Sequence, residues 1–184
     1  VGWFVGKITG SQYSHVAIAE KTEKGINCIE YKEFAKSRIY SLTNYIKEGK
    51  IVDIYRSSQI LSLPYLDSPP VINGHKPHIK YSNLYFTPGI RKKIVNEAKG
   101  LIGKNYGYIN IIKIFLTLIP FIRFFTNKSD INITPKNMVC STLVEYCYRK
   151  YWIELNSSIS DSFVTPGDIS NSSVLLYLFT ISEI

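Results

Sequence analysis

Residues 13–18 read YSHVAI and residues 139–144 read VCSTLV, and these two distant stretches decide the fold of the chain. The first contains His15 in a strand-like pattern, and the second contains Cys140 at the predicted start of a helix. A thiol and an imidazole that meet in space are the minimum set for nucleophilic acyl transfer. The two stretches therefore predict a fold that brings the start of the chain to a helix near its end.

The cysteine stretch has the pattern of a helix N-terminus. Residues 134–138 read as a turn, and apolar residues recur at helical spacing over 140–152. Unpaired N–H groups and the positive end of the helix dipole favour an anion in a first turn, where reactive cysteines are often found. The alternative is that Cys140 is a small apolar core residue, which is the commoner role of a free cysteine. Cys28, inside a strand pattern, and Cys147, on the apolar face of the helix, fit that second role.

The histidine begins a predicted β-hairpin. Residues 13–19 and 26–31 are strand-like, and the polar stretch 20–25 separates them. A loop over 21–24 would place His15 opposite Glu30, with both side chains on one face. A carboxylate there could orient the imidazole and stabilise its protonated form. The alternative is a His–Glu pair on a solvated face, because a one-residue change in loop length exchanges the two faces.

The remaining patterns predict one α+β domain over residues 1–184, in which an antiparallel sheet packs against helices. Residues 57–87 are rich in Pro, Ser and Asn and predict a long loop excursion, the expected specificity element. The other predicted elements are a short helical or irregular lead over 2–9, strands near 38–40 and over 51–55, a small helix over 42–47, a helix that begins near Pro88 and a buried final strand over 174–181.

Residues 109–125 are an apolar stretch, predicted to be helical, with only Lys113 and Arg123 as charges. Its length is at the lower limit for spanning a bilayer, and Pro120 with the two charges weakens a transmembrane interpretation. A helix or helical hairpin packed over the core is one alternative. The other is an apolar lid that admits acyl chains or rests at a membrane surface.

Composition narrows the classes of function. The net charge of +8 is dispersed along the chain, which predicts attraction to anionic surfaces or simple solubility, and no nucleic-acid-binding module is recognisable. Three cysteines without metal-ligand spacing predict neither a disulfide framework nor a structural zinc site. His75 and His78 have a spacing that could suit a metal, but the loop lacks further ligands and predicts surface histidines. The sequence therefore predicts no cofactor and no metal.

Four blocks of sequence resemble the circularly permuted papain-like family typified by the bacterial YaeF and YiiX proteins, relatives of NlpC-type peptidoglycan hydrolases. The blocks are residues 9–18 with the histidine, 28–31 with Glu30, 103–108 (GKNYGY), and 139–144 with the cysteine, followed by 165–168 (TPGD). The His-before-Cys order is the permuted one. Two departures are that the chain opens at Val1 without the family's upstream Gly-Asp strand, so that a truncated start is expected, and that Gly107 replaces a frequent acidic residue.

The resemblance implies a permuted papain-like (NlpC-like) fold and a cysteine peptidase or amidase. It implies that Cys140 attacks a carbonyl, that His15 is general base and acid, and that Glu30 orients His15. Tyr13 resembles a tyrosine thought to assist at the oxyanion in related enzymes. The expected substrate is a peptide or cell-wall peptide.

Two other functions are compatible with the same residues. Lecithin:retinol acyltransferase-like relatives use the His-first layout on lipid esters, so a lipid acyl hydrolase or acyltransferase, working at a lipid or membrane surface, is one alternative. The other is a non-catalytic binding module on the same fold. In that case Cys140 would have no unusual thiol reactivity.

Overall fold

The computed structural model describes residues 11–32, 35–57, 60–61, 84–85, 87–105, 138–151, 153–156 and 164–182. The predictions for 2–9, for 109–125, for His75 and His78, for residues 106–108 and for most of 57–87 lie outside the described residues. The elements, in chain order, are β1 (Ile18–Thr22), β2 (Gly25–Tyr31), β3 (Ser37–Ser41), α1 (Leu42–Lys47), β4 (Val52–Ser57), β5 (Ile60–Leu61), β6 (Leu84–Tyr85), α2 (Pro88–Gly100), α3 (Cys140–Arg149), α4 (Pro166–Ser170) and β7 (Leu175–Ile181).

The first three strands form an antiparallel sheet with β2 in the centre. The predicted register of the first hairpin is wrong, because Ala19 and not Ala17 lies opposite Cys28. Thr22 pairs directly with Gly25, so the connection is the short turn at residues 23–24 rather than the predicted loop over 21–24. Gly25 has φ of +120°, a backbone conformation that glycine adopts without steric cost and that permits this tight connection.

The two faces of β2 are buried against different parts of the molecule. On one face, Ile29 and Tyr31 belong to the main core, which also contains buried residues of α2 and α3. On the other face, Cys28 packs with Leu42 and Tyr45 of α1. The main core comprises Ile18, Ile29, Tyr31, Ile94, Ala98, Leu101, Met138, Val139, Leu143, Val144, Cys147, Ile153, Leu155, Val164, Ile169 and Val174. Strand β2 therefore lies between helices α2 and α3 on one face and helix α1 on the other.

Several elements form where the sequence predicts them. Strand β3 and helix α1 cover the predicted strand near 38–40 and the helix over 42–47. Helix α2 begins at Pro88, whose missing N–H suits a first turn. The side chain of Thr87 accepts a hydrogen bond from the backbone N–H of Ile90 at 3.3 Å and caps this helix. The α+β class with antiparallel sheets is thus the observed one.

The final strand forms, but the prediction that it is buried is wrong. In β7, Leu176 and Phe179 keep 59% and 50% of their surface exposed. Within the described residues β7 pairs only with β4. The strand contacts the α1 side of the molecule through Ile181, together with Val52 and Ile54 of β4. An apolar run does not by itself guarantee cover on both faces of a sheet.

No helix in the described part of the chain is both long enough and apolar enough to cross a bilayer.

Ile29 and Ile39 offer a test of whether the buried centre of the sheet carries its stability. They lie opposite each other in β2 and β3, yet Ile29 is fully buried and Ile39 is 44% exposed. We expect Ile29→Ala to lower the free energy of unfolding by about 3 kcal/mol, because it leaves a cavity in the core. Ile39→Ala makes the same change in a strand and should cost less than about 1 kcal/mol. Urea denaturation of both variants measures this, and equal losses would contradict the described core.

Candidate active site

The loop that carries His15 precedes β1 and is held by a close contact with α4. The backbone N–H of Tyr13 donates to the hydroxyl of Ser11 at 3.0 Å. A Cβ atom at Gly167 would overlap this hydroxyl and would lie only 2.8 Å from Cβ of Ser11, so only glycine allows the loop to approach α4 this closely. Helix α4 is itself fixed by a capping box between Thr165 and Asp168. The predicted 165–168 block therefore supports the histidine loop.

Glu30 is fully buried at the centre of the site and has three side-chain partners. Its Oε2 lies 2.7 Å from Nε2 of His15 and also accepts a hydrogen bond from the hydroxyl of Tyr45. Its Oε1 accepts a hydrogen bond from Nε of Arg38 at 2.9 Å. A buried carboxylate is tolerated only when it is paired in this way. Burial would raise the pKa of Glu30, but its bonds to His15, Tyr45 and Arg38 lower that pKa to about 2.

The contact between His15 and Glu30 is present although the predicted register is wrong. The true register differs from the predicted one by two positions. Side chains alternate with a period of two along a strand, so an even shift leaves Glu30 on the face predicted for it. The strand predicted over 13–19 begins only at Ile18, and His15 reaches Glu30 from the loop before it. An odd shift would have turned Glu30 away from His15.

His15 also interacts with the predicted nucleophile. Burial alone would lower the pKa of His15, but hydrogen bonds with the side chains of Cys140 and Glu30 raise it to about 9. Because Nε2 is engaged with Glu30, Nδ1 is the ring nitrogen left for the sulfur. The chain thus brings Cys140, His15 and Glu30 into one row, with the imidazole in the middle.

Cys140 is the first residue of α3. The backbone N–H of Val139 donates to the hydroxyl of Thr142 at 2.8 Å, which fixes the first turn of this helix. N–H groups in a first helical turn have no partner within the helix, and the helix dipole adds positive potential there. The sulfur therefore lies where a negative charge is stabilised.

The other two thiols occupy apolar surroundings. Burial and the nearby Glu30 raise the pKa of Cys28 to about 11. Burial, with Glu97 as a further cause, raises the pKa of Cys147 to about 12. Both cysteines belong to hydrophobic clusters, as expected for core residues.

Tyr13, two positions before His15, bonds to residues of β4. Its hydroxyl donates to Oδ2 of Asp53 at 2.6 Å and lies 2.8 Å from the hydroxyl of Tyr55. Burial and these two hydrogen bonds raise the pKa of Tyr13. The hydroxyl therefore keeps its proton and remains a donor, and a role at an oxyanion requires it to turn from Asp53 to the substrate.

Arg38 and Tyr45 were not identified from the sequence as parts of the site. Arg38 lies directly opposite Glu30 in the pairing of β2 with β3. A cross-strand pair of opposite charges was the signal that could have revealed it. Tyr45 reaches Glu30 from α1, whose packing on the sheet is a tertiary contact that local sequence patterns do not encode.

Within the described ranges, no group of three or more His, Cys, Asp or Glu side chains is arranged to hold a metal ion. No protein-family model matches the chain, and no curated protein matches its sequence.

The His15–Glu30 pair predicts a pH-dependent stability. The pKa of His15 is raised from 6.5 to about 9, so its contribution is fully present below pH 6.5 and is lost as the pH rises through 9. The pKa of Glu30 is lowered from 4.5 to about 2, so its contribution is present above pH 4.5 and is lost toward pH 2. We expect wild type to exceed His15→Gln in stability most between these windows, at pH 4.5 to 6.5. Urea denaturation of both proteins across pH measures this difference in stability. A difference that does not change with pH would contradict the prediction.

The close contact between Ser11 and Gly167 gives a second prediction. Gly167→Ala should push Ser11 and its loop away from α4 and slow every reaction that needs His15 beside Cys140, by about tenfold or more, since displacements of about an ångström can cost that much. The rate of Cys140 alkylation by iodoacetamide measures the effect. Gly100→Ala is the matched control, because no atom lies within 4 Å of the added methyl group. Equal alkylation rates in the two variants would show that the contact does not position the loop.

Proposed function

We propose that this protein is a cysteine hydrolase that cleaves an amide bond through a Cys140 thioester. The observation that carries the proposal is the single imidazole that bonds to the Cys140 side chain on one side and to the buried Glu30 carboxylate on the other. A nucleophile, a base and an oriented carboxylate are the three parts of the thiol-protease arrangement. The motif resemblance to the permuted papain-like family agrees with this assignment.

The raised pKa of His15 defines its protonation state in the first step. With a pKa of about 9, the ring carries a proton at neutral pH and faces the sulfur as an imidazolium. The sulfur attacks the carbonyl carbon, and the imidazolium gives its proton to the leaving nitrogen as the C–N bond breaks. The amine departs and leaves a thioester with a neutral imidazole.

The second step uses the same ring as a base. Neutral His15 takes a proton from water, the hydroxide oxygen bonds to the thioester carbon, and the C–S bond breaks to restore the thiol pair. Glu30 stabilises the imidazolium that forms again and holds the ring through Nε2. The N–H of Cys140 at the start of α3 is suited to the oxyanion of both tetrahedral intermediates.

A peptide or cell-wall peptide is the substrate that we propose, in keeping with the family resemblance. The exposed apolar side chains of β7 favour a second candidate, the same acyl chemistry on a lipid ester at a membrane surface. The two candidates differ only in the acyl donor. Release of amine from peptides and of fatty acid from mixed lipid vesicles separates them.

The proposed function predicts selective reactivity of one thiol. At neutral pH, iodoacetamide should label Cys140 far faster than Cys28 and Cys147, whose pKa values of about 11 and about 12 keep them protonated. His15→Gln should slow the labelling of Cys140 and leave the other two unchanged. Mass spectrometry of digested protein measures the three rates. Slow labelling of all three at one rate would favour the non-catalytic binding module.

Hydrolysis gives the complementary test. Cys140→Ala should reduce amide hydrolysis by at least about a thousandfold, as is usual for loss of a nucleophile. Cys147→Ala is the matched control in the same helix and should retain activity after allowance for its stability. Activity should fall above pH 9, where His15 loses the proton that the leaving nitrogen needs. Full activity of the Cys140 variant would refute the proposal.

A further inference from the structure

A β-bulge in the β4–β7 pair places an additional tyrosine on one face of this sheet. Ile54 pairs with Phe179, but Tyr55 pairs with Tyr177, so Leu178 has no partner in the ladder. In a regular strand Tyr177 and Thr180 would point to opposite faces, because they are an odd number of positions apart. Here their hydroxyl oxygens lie 2.8 Å apart. The bulge therefore turns Tyr177 to the face of Thr180, and bulges often re-aim a side chain beside a functional site.

The residues on that face form one connected group, which we call the Asp53 cluster. Oδ2 of Asp53 accepts from Tyr13 at 2.6 Å, and Oδ1 accepts from the hydroxyl of Thr180. The ring centroids of Tyr55 and Tyr177 lie 5.6 Å apart, and those of Tyr13 and Tyr55 lie 6.4 Å apart. The cluster is thus one carboxylate within a group of three aromatic rings. Its members are Tyr13, Asp53, Tyr55, Tyr177 and Thr180.

The charge of Asp53 is not neutralised by a cation in the described part of the chain. Its hydrogen-bond partners are neutral hydroxyl groups, and those from Thr180 and Tyr13 lower its pKa, so the carboxylate is ionised. Glu30 is different, since Arg38 and His15 both pair with it. Each oxygen of Asp53 accepts one hydrogen bond from these hydroxyls, and a carboxylate oxygen has capacity for another.

These groups have the chemistry of a cation-binding site. An ammonium group is attracted by a carboxylate through charge-assisted hydrogen bonds and by tyrosine rings through cation–π interaction. Tyr177 is 49% exposed, so a ligand can reach the group from solvent. Tyr13 joins the cluster to the candidate catalytic row, because it is two positions before His15 in the same loop.

We propose that the Asp53 cluster is a substrate subsite that binds an ammonium group of the peptide, either its amino terminus or a side-chain amine. This inference rests on the proposed amide hydrolase and specifies its substrate as one with a cationic group near the scissile bond. Asp53 supplies the charge, and the rings of Tyr55 and Tyr177 supply aromatic surface for the cation.

Binding to the Cys140→Ala protein tests the subsite without any turnover. The probes are triglycine amide, its N-acetylated form and N-acetyl-lysine amide, titrated by NMR. We expect at least one of the two amines to bind about tenfold more tightly than the acetylated tripeptide, the usual effect of a hydrogen bond to a charged group. Which amine binds more tightly distinguishes an amino terminus from a side-chain amine. Equal affinity of all three probes would overturn the proposal.

Asp53→Asn in the same background should abolish the preference for the amine and leave the affinity for the acetylated peptide unchanged. Glu23→Gln is the matched control, since it removes the same charge from the exposed turn of the first hairpin. Tyr177→Leu should weaken amine binding a few-fold through loss of the ring. An amine preference that survives Asp53→Asn would overturn the assignment of Asp53.

A purely structural role of Asp53 has a different signature. If Asp53 only held Tyr13 and its loop, Asp53→Asn would slow the alkylation of Cys140 by neutral iodoacetamide and would weaken all three probes equally. We expect the alkylation rate to change less than about twofold. Amine-dependent binding without amide hydrolysis in the wild type would refute the hydrolase and retain the subsite. Amide hydrolysis that does not depend on the amine would refute the subsite and retain the hydrolase.

Discussion

The burial of the Glu30 carboxylate is the constraint on which the arrangement of the site depends. A charge without access to water must be paired, and Glu30 is paired from three directions. Arg38 comes from the neighbouring strand, Tyr45 from α1, and His15 from the loop before β1. The buried charge is tolerated because these partners are in place, so it links the hairpin, the small helix and the histidine loop into one unit. The same bonds that satisfy Glu30 hold the imidazole toward α3.

Local patterns in the sequence predicted the elements that carry this unit. The α+β class, the helix at Pro88 and the helix that begins at Cys140 all follow from apolar spacing and turn residues, which act over a few positions. The His15–Glu30 contact was also predicted, although the predicted hairpin loop was too long. The resulting shift in register was an even number of residues, so Glu30 stayed on the predicted face. Strand alternation fixes the face on which a side chain lies, and a shift of two positions leaves long side chains on that face within reach of each other. The catalytic roles given to Cys140, His15, Glu30 and Tyr13 remain proposals.

What the sequence could not provide are the contacts made across long separations. The need for glycine at position 167 arises only because Ser11 lies against it. The exposure of β7 depends on which elements cover a sheet, and an apolar run contains no such information. The bulge at Leu178 likewise changes which residues share a face, so strict alternation would have put Tyr177 on the wrong side. These features come from packing, where one added or missing residue changes the outcome.

The charges around Glu30 suggest why an arginine belongs to this site. One carboxylate faces two cations, because His15 is protonated at neutral pH and Arg38 is always charged. The three groups together carry one excess positive charge, partly screened since Arg38 is 39% exposed. Because Oε1 of Glu30 binds Arg38, only part of the negative charge of the carboxylate stabilises protonated His15. In the proposed mechanism, this positive charge lies on the imidazolium that faces Cys140, where it stabilises the oxyanion of the tetrahedral intermediate. In that mechanism Arg38 reduces the stabilisation of protonated His15 by Glu30 and so makes the Nδ1 proton of His15 easier to transfer to the leaving nitrogen.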